Sequence, residues 1–458
     1  MARINRIRRK KRSSFPFFII IALLLAGAGG YLYLTYFEGE KPLIAGNDLP
    51  EFIGKTTELS LAISDIKSGL RTIKAIVIQN GEEKEILVQN FQKRQKDGTG
   101  GTAKKTIKFT IDTKALKLKE GDAVIHVKAT DYSFRGFLKG NVTELFHNVI
   151  IDTKPPKVSI IHSEKYIKAG GAGIVIYKVD DTVKHGVMLN KKYHPGFSLN
   201  DGSDNKYISY IGLHYATEEI SQATVFAEDI SGNRTVKPFA PILKKPKQKT
   251  DTIRVGDGFL SKKIPEFEEY YPEMEGDMIQ KYLYSNRKIR KENNQKIHDL
   301  CMNPGPKQLW SGSFIRMAGS GKAGFADHRT YFYKGNAIDK QVHLGMDIAS
   351  TKHAEIKAAG TGTVIFSDYL GIYGNMVMLD HGQGIFSLYS HLSQINVSNG
   401  DTLDKGDILG NSGTSGMAGG DHLHFSMLVN GIFVDPKEWW DKHWIDVTIA
   451  GPLADAKF

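Results

Sequence analysis

The sequence predicts a mainly β chain: an N-terminal transmembrane helix, two β-sandwich modules, a linker helix and a C-terminal β-rich domain. Three observations lead there. An uncharged apolar run lies behind a basic N-terminus. Two blocks of short alternating strands, broken by turn residues, follow it. Towards the C-terminus, glycine-rich turns at Gly371–Gly374 and Gly413–Gly420 separate strands that carry histidines at one-face spacing.

A length of 458 residues suggests several domains, and 10% aromatic content with mixed charge reads as globular. The net charge of +11 fits contact with an anionic lipid or polymer, and equally an ordinary surface; it is not read as nucleic-acid binding. The single cysteine, Cys301, excludes an internal disulfide. In the segment 1–14, Arg3, Arg6, Arg8, Arg9, Lys10, Lys11 and Arg12 precede the apolar run 15–37. The run exceeds the roughly twenty residues that a helix needs to span a bilayer. Basic residues stay on the cytoplasmic side, so the rest of the chain is expected outside the membrane, in the periplasm or at the cell surface. Tyr31, Tyr33 and Tyr36 would mark the outer interface. Ala26-Gly27-Ala28 offers a signal-peptide cleavage site, but apolar sequence continuing to Phe37 favours an uncleaved anchor.

Residues 42–152 read as a first β-sandwich, with strand patterns such as Leu59-Ser60-Leu61-Ala62-Ile63 and Ile107-Lys108-Phe109-Thr110-Ile111. Asp152-Thr153-Lys154-Pro155-Pro156 reads as a hinge, since paired prolines hold the chain extended. Residues 157–244 form a second β block. Its Ala227-Glu228-Asp229-Ile230-Ser231-Gly232-Asn233-Arg234 echoes Ala129-Thr130-Asp131-Tyr132-Ser133-Phe134-Arg135 in the first. The pair resembles bacterial immunoglobulin-like modules. His126, His147, His162, His185, His194 and His214 lack ligand spacing and read as structural. Residues 245–304 form a linker, basic and proline-containing at its start, then helical over 273–300 with Met274, Met278, Tyr282 and Ile289 near one face.

The chemistry concentrates in 305–445. In Asp421-His422-Leu423-His424-Phe425, a strand would place both imidazoles on one face and Leu423 and Phe425 on the other. His343-Leu344-Gly345-Met346-Asp347 adds a histidine and a carboxylate four apart. Imidazole and carboxylate suit zinc, and three protein ligands plus water make its catalytic form. With one cysteine, a Cys-rich structural zinc site is excluded. In Tyr389-Ser390-His391-Leu392, alternation places Tyr389 and His391 on one strand face. Trp439-Trp440-Asp441-Lys442-His443-Trp444 reads as a packing segment, and His443 has no partner at ligand spacing.

These residues resemble the LytM/lysostaphin-type zinc endopeptidases, which cut peptide cross-links of bacterial cell walls. The family's HxxxD, YxHL-like and HxH segments read here HLGMD, YSHL and HLH, in that order. The filler is also similar: Lys357 to Val364, Tyr373-Gly374-Asn375, Leu379-Asp380-His381-Gly382, Gly406 to Gly410, Gly413 to Gly416, and Val434-Asp435-Pro436. The resemblance covers about 305–440. It implies a β-rich, partly open sheet with a groove over the metal, in which an extended peptide lies along a strand edge. It implies that His343, Asp347 and His424 hold Zn2+, and that His391 and His422 handle the proton and the developing oxyanion. Tyr389 has two readings, orienting the oxyanion or packing in the core, and the core reading is the ordinary one. Two places depart from the family pattern. Asp421 stands where many members have proline, and Gly324-Phe325-Ala326-Asp327-His328-Arg329 where many have Phe-Gly-x-Arg. Both are expected on the groove rim.

The expected function is a membrane-anchored zinc endopeptidase acting on peptidoglycan stem peptides or cross-bridges. The alternative is a non-catalytic scaffold of the same fold that binds cell wall or activates a partner hydrolase. An adhesion protein led by its β modules explains neither HLGMD nor HLH. A further expectation is intramolecular restraint, with the linker helix or the β modules covering the groove.

Overall fold

A computed structural model describes residues 15–46, 49–93, 100–199 and 205–456; the side chains of 15, 16, 32 and 34–36 are outside the description. The basic residues of 1–14 therefore lie outside the described residues. The chain is mainly β, as expected, and divides into two compact units, 1–155 with 230–233, and 156–229 with 234–458.

In the first unit, helix Phe15–Tyr36 has 22 residues and no charged side chain. Among the described residues no helix is long and apolar enough to cross a membrane. The side chains described without a break in this helix run only from 17 to 31. Beyond it, a three-stranded sheet built on Thr56–Ser64 and Lys104–Asp112 faces a five-stranded sheet centred on Leu70–Gln79 and Gly121–Asp131. Alternate residues Leu59, Leu61, Ile63 and Ile107, Phe109, Ile111 meet Ile73, Ala75, Val77, Ile125 and Val127 in one core. The period-two pattern thus becomes a two-layer sandwich.

In the second unit, sheets around Ala172–Asp180 and Ala223–Glu228 enclose a core of Val175, Tyr177, Val187, Ile211 and Val225. The other face of Ala172–Asp180 is covered as well. Ile174 and Ile176, with Ile208 and Tyr210, join Trp310, Phe314 and Trp439 in a larger core. Burial on both faces explains why Ile174-Val175-Ile176-Tyr177 is apolar without alternation.

That larger core belongs to a ten-stranded antiparallel sheet, whose central strands are Met346–Ala349, Leu423–Val429, Ile385–Ile395 and Asn375–Asp380. The stretch read as a linker is more structured than one helix. Strand Thr250–Val255 pairs in parallel with His328–Tyr333. Helix Asp257–Tyr270 follows, and the expected helix over 273–300 begins at Met278, where Asp277 and Gln280 form a capping box. Met274, Tyr282 and Ile289 are buried, whereas Met278 is exposed. A π-turn over Ser285–Ile289 interrupts this helix before Arg290–Leu300. The added residue rotates the two halves relative to each other, which breaks the single face expected from the spacing.

Candidate metal centre

Register brings the first ligands together. In the antiparallel pair of Met346–Ala349 with Leu423–Val429, Asp347 stands opposite His424, so both side chains leave the same face at close spacing. His343 enters from the turn after strand Asn336–Val342. Gly345 allows the approach: a Cβ there would lie 2.6 Å from His424 Nε2, from the Phe425 carbonyl and from Ser426 Oγ.

His343 Nε2, Asp347 Oδ1 and His424 Nδ1 lie 2.9 Å from one another. Two imidazoles and a carboxylate converging this closely form a donor set that could hold a zinc ion. The rings are presented correctly for this. His343 Nδ1–H donates to the Gly324 carbonyl at 2.8 Å, which frees Nε2 as a lone pair. Ser426 donates its hydroxyl proton to the Leu344 carbonyl and accepts from His424 Nε2–H at 3.1 Å, which frees Nδ1. Outer hydrogen bonds of this kind fix tautomer and ring orientation in metal sites. Burial alone would raise the Asp347 carboxyl, but His343, His422 and His424 more than offset it and hold it well below the usual carboxylate range. Burial lowers His424 to about 4. An ionised carboxylate beside a neutral imidazole is the state in which a divalent ion is bound. The residues present therefore fit zinc.

His422 and His391 stand beside the triangle. His422 Nε2 is 3.5 Å from Asp347 Oδ1, and its Nδ1–H donates to the Gly420 carbonyl at 2.8 Å. Burial opposes protonation of His422, and the Asp347 contact outweighs it, so its pKa is raised. His391 Nδ1–H donates to the Ser415 carbonyl at 2.9 Å, and its ring centre is 4.9 Å from that of His422. Burial, then the neighbouring histidines, hold His391 well below the usual range, so it is neutral.

Tyr389 and His391 do not share a face. The pairing of strand Ile385–Ile395 with Asn375–Asp380 slips between Tyr389 opposite Val377 and Leu392 opposite Asn375, and His391 has φ +64°. This β-bulge turns His391 to the metal ligands. Tyr389 stays in the core, where its hydroxyl accepts from the Ala359 N–H at 2.7 Å. One rim expectation is also corrected. Arg329 is no rim residue: its Nη2 is 2.9 Å from Asp347 Oδ2. Asp421, in place of proline, accepts from Ser412 Oγ–H at 2.6 Å and from the His353 N–H at 3.1 Å, which ties three loops together.

A groove of about 540 Å3 runs over the three ligands, with His391 and His422 in its lining. Its lining also includes Val255, Phe259, Tyr282 and Arg290, all from the stretch read as a linker. The sequence marked Tyr282 only as part of a helix face and expected that helix over the groove; Val255, Phe259 and Arg290 carried no signal, because their tie to the site is tertiary.

Residues 341–436 match the family model of peptidase family M23. Over 96 residues the chain is 34% identical to a DD-carboxypeptidase/endopeptidase, Mpg, of Neisseria meningitidis; the match covers 21% of this chain and 22% of that protein. It is 36% identical over 95 residues to the murein hydrolase activator EnvC of Escherichia coli, covering 21% of this chain and 23% of that one. The chain thus spans about a fifth of the length of these curated relatives. Among solved structures, a putative M23 peptidase of Pseudomonas aeruginosa superimposes with a TM-score of 0.38 at 18% identity, over 62% of this chain and 97% of that one. With HLGMD and HLH both inside the matched stretch, residues 341–436 are an M23 peptidase domain of the LytM type.

Proposed function

We propose that the chain is a zinc endopeptidase that hydrolyses peptide cross-links of peptidoglycan, anchored by its N-terminal helix with the catalytic domain outside the membrane. The observation that carries the reading is the convergence of His343, Asp347 and His424 with their lone pairs facing one point. The names of the curated M23 relatives support a cell-wall substrate. The uncharged helix Phe15–Tyr36 supports the anchor, and the strand repeats support immunoglobulin-like spacer modules.

His343, Asp347 and His424 hold the ion. Bound zinc supplies a Lewis acid and a water acidic enough to attack at neutral pH. Neutral His391 accepts the proton of the attacking water. His422, whose protonated form Asp347 favours, donates a hydrogen bond to the developing oxyanion. Arg329 holds the free oxygen of Asp347, so that the ligand cannot rotate away. Val255, Phe259, Tyr282 and Arg290 line the groove, so the stretch that carries them is read as part of the site.

The second reading, a scaffold that activates a partner hydrolase, is favoured by the likeness to an activator. Zinc content of the full-length protein, measured beside His424→Ala, separates the two together with a digest of purified sacculi. About one zinc per chain, lost in the variant, and new peptide ends resolved by mass are expected. A zinc-loaded protein that releases no product would establish the scaffold.

A further inference from the structure

Cationic side chains line the groove together with the histidines. Arg254, Arg290 and Lys322 line it, and none has an ion pair among the described residues. Arg329, also in the lining, is taken by Asp347 and lies 3.8 Å from Asp251. Arg254 and Lys322 are exposed, where water screens their charge. Arg290 is half-buried and stands on the π-turned helix.

Arg290 is held without being neutralised. Its Nε donates to the Asn286 carbonyl at 3.1 Å and its Nη2 to Asn286 Oδ1 at 2.5 Å. Asn286 is fully buried and donates Nδ2–H to Asp339 Oδ2 at 2.7 Å. The Asp339 carboxylate is itself paired with Arg287 at 2.9 Å. The guanidinium is thus oriented by a neutral amide, and its remaining N–H groups find no acceptor among the described residues. The same helix fixes the turn beside the metal ligands. Asn293 Oδ1 accepts from the Ile372 N–H at 2.9 Å, and the Tyr373 hydroxyl donates to Asn294 at 2.8 Å. The Tyr373 ring centre lies 5.7 Å from that of His424. Arg290 is therefore tied to a rigid frame that ends at the metal centre.

An oriented, half-desolvated guanidinium without a carboxylate is a poor state to leave unfilled, and its planar fork matches a carboxylate. We infer that Arg290 binds a free carboxylate of the substrate next to the scissile amide. The inference rests on the endopeptidase reading and names its substrate class. A D-alanyl–diaminopimelate cross-link carries such a carboxylate on the carbon that bears the amide nitrogen. A glycine bridge carries none along its length. Arg290 is thus a specificity residue, and the chain should favour stem-peptide cross-links over glycine bridges.

The test uses the full-length protein and two synthetic cross-linked peptides, one with the diaminopimelate carboxylate free and one with it amidated. Cleavage kinetics are measured for the parent, Arg290→Gln and Arg290→Lys. Binding of uncleavable reduced-amide versions of both peptides is measured in parallel. Zinc content and the unfolding midpoint confirm that each variant is intact. The parent should prefer the free acid by roughly tenfold or more, the scale of one charge-assisted hydrogen bond. R290Q should lose that preference through KM, with kcat and the amidated peptide little changed, and R290K should recover part of it. Equal treatment of acid and amide by the parent, or a preference that survives in R290Q, overturns the inference. The binding arm separates the two readings. If neither peptide is cut, the endopeptidase reading fails, while an acid preference in binding that R290Q abolishes still supports the carboxylate site.

Discussion

Removing one oxygen at Tyr389 separates its two roles. The ring is 1% exposed and packs on Phe425 at 5.3 Å between ring centres. Its hydroxyl accepts from the Ala359 N–H at 2.7 Å and is hydrogen-bonded to Ser387 Oγ at 2.9 Å, and burial pushes the phenol up to about 12, so it remains protonated. Tyr389→Phe keeps the ring and leaves the Ala359 N–H without an acceptor. Ser387 is still satisfied by His381 Nε2 at 2.7 Å, so one buried donor is orphaned rather than a network. A buried unsatisfied donor costs about 1–3 kcal/mol. For a unit of this size each kcal/mol moves the midpoint by about 2–4 °C, so a fall of roughly 4–8 °C is expected for a loss near 2 kcal/mol. Calorimetry reads the midpoint, and peptide hydrolysis well below it reads kcat, which should stay within about twofold. A Y389F protein with an unchanged midpoint and a kcat lowered tenfold or more would place the hydroxyl on the reacting carbonyl and refute the core assignment.

Gly345→Ala drives a methyl group into His424 Nε2 and the Phe425 carbonyl, both 2.6 Å from the new carbon, so bound zinc should fall well below that of the parent; full zinc occupancy would show that the strand yields. Lys263, 2% exposed, donates to the Thr414 carbonyl and pairs with Glu266 at 2.9 Å, while Glu266 accepts from the Gly416 N–H at 2.5 Å. Between them sits the Ser415 carbonyl that orients His391, so Lys263→Met should lower kcat roughly ten- to a hundredfold through misplacement, with zinc content retained; an unchanged kcat would show that the loop holds itself. Burial raises Glu438 from 4.5 to about 7 despite Lys168 at 3.3 Å. The folded state therefore holds this proton more tightly than the unfolded one, and the stability it contributes is lost as pH rises from about 4.5 through 7, by up to about 3 kcal/mol. Between pH 5 and 8 the midpoint of Glu438→Gln should fall less than that of the parent, and parallel curves would sink the assignment.

The three candidate metal ligands were legible because each motif carries its own geometry. His424 lies on strand Leu423–Val429 with His422 in a β-bridge just before it, and Asp347 meets His424 through a register that the flanking apolar residues enforce, with Met346, Ile348, Leu423 and Phe425 all buried. The position of His391 was not legible. A one-residue bulge with positive φ changes which way a side chain points, and nothing in Tyr389-Ser390-His391-Leu392 announces it, since the left-handed residue is a histidine rather than glycine. Arg329 was misplaced for a related reason. Its role depends on strand His328–Tyr333 running beside the site, which a motif taken as rim sequence does not reveal.

The stretch from 250 to 300 shows how far a motif-bounded view can mislead. Polar, with 273–300 read as one helix, it looks like a connector, yet its elements border the candidate site. Strand Thr250–Val255 sets Asp251 opposite Arg329. Helix Asp257–Tyr270 buries Leu260, Ile264 and Phe267 and grips the loop that orients His391. Helix Arg290–Leu300 supports the turn at Ile372 and Tyr373. A fragment starting at 300 would expose the apolar side chains those residues cover, such as Met376, Phe386 and Tyr331, and lose three supports at once. A loss of activity in such a fragment would then report a damaged site, and a gain would have to overcome that damage. The role of this wall is better read from single substitutions such as K263M and R290Q, which leave the core covered and change one contact each.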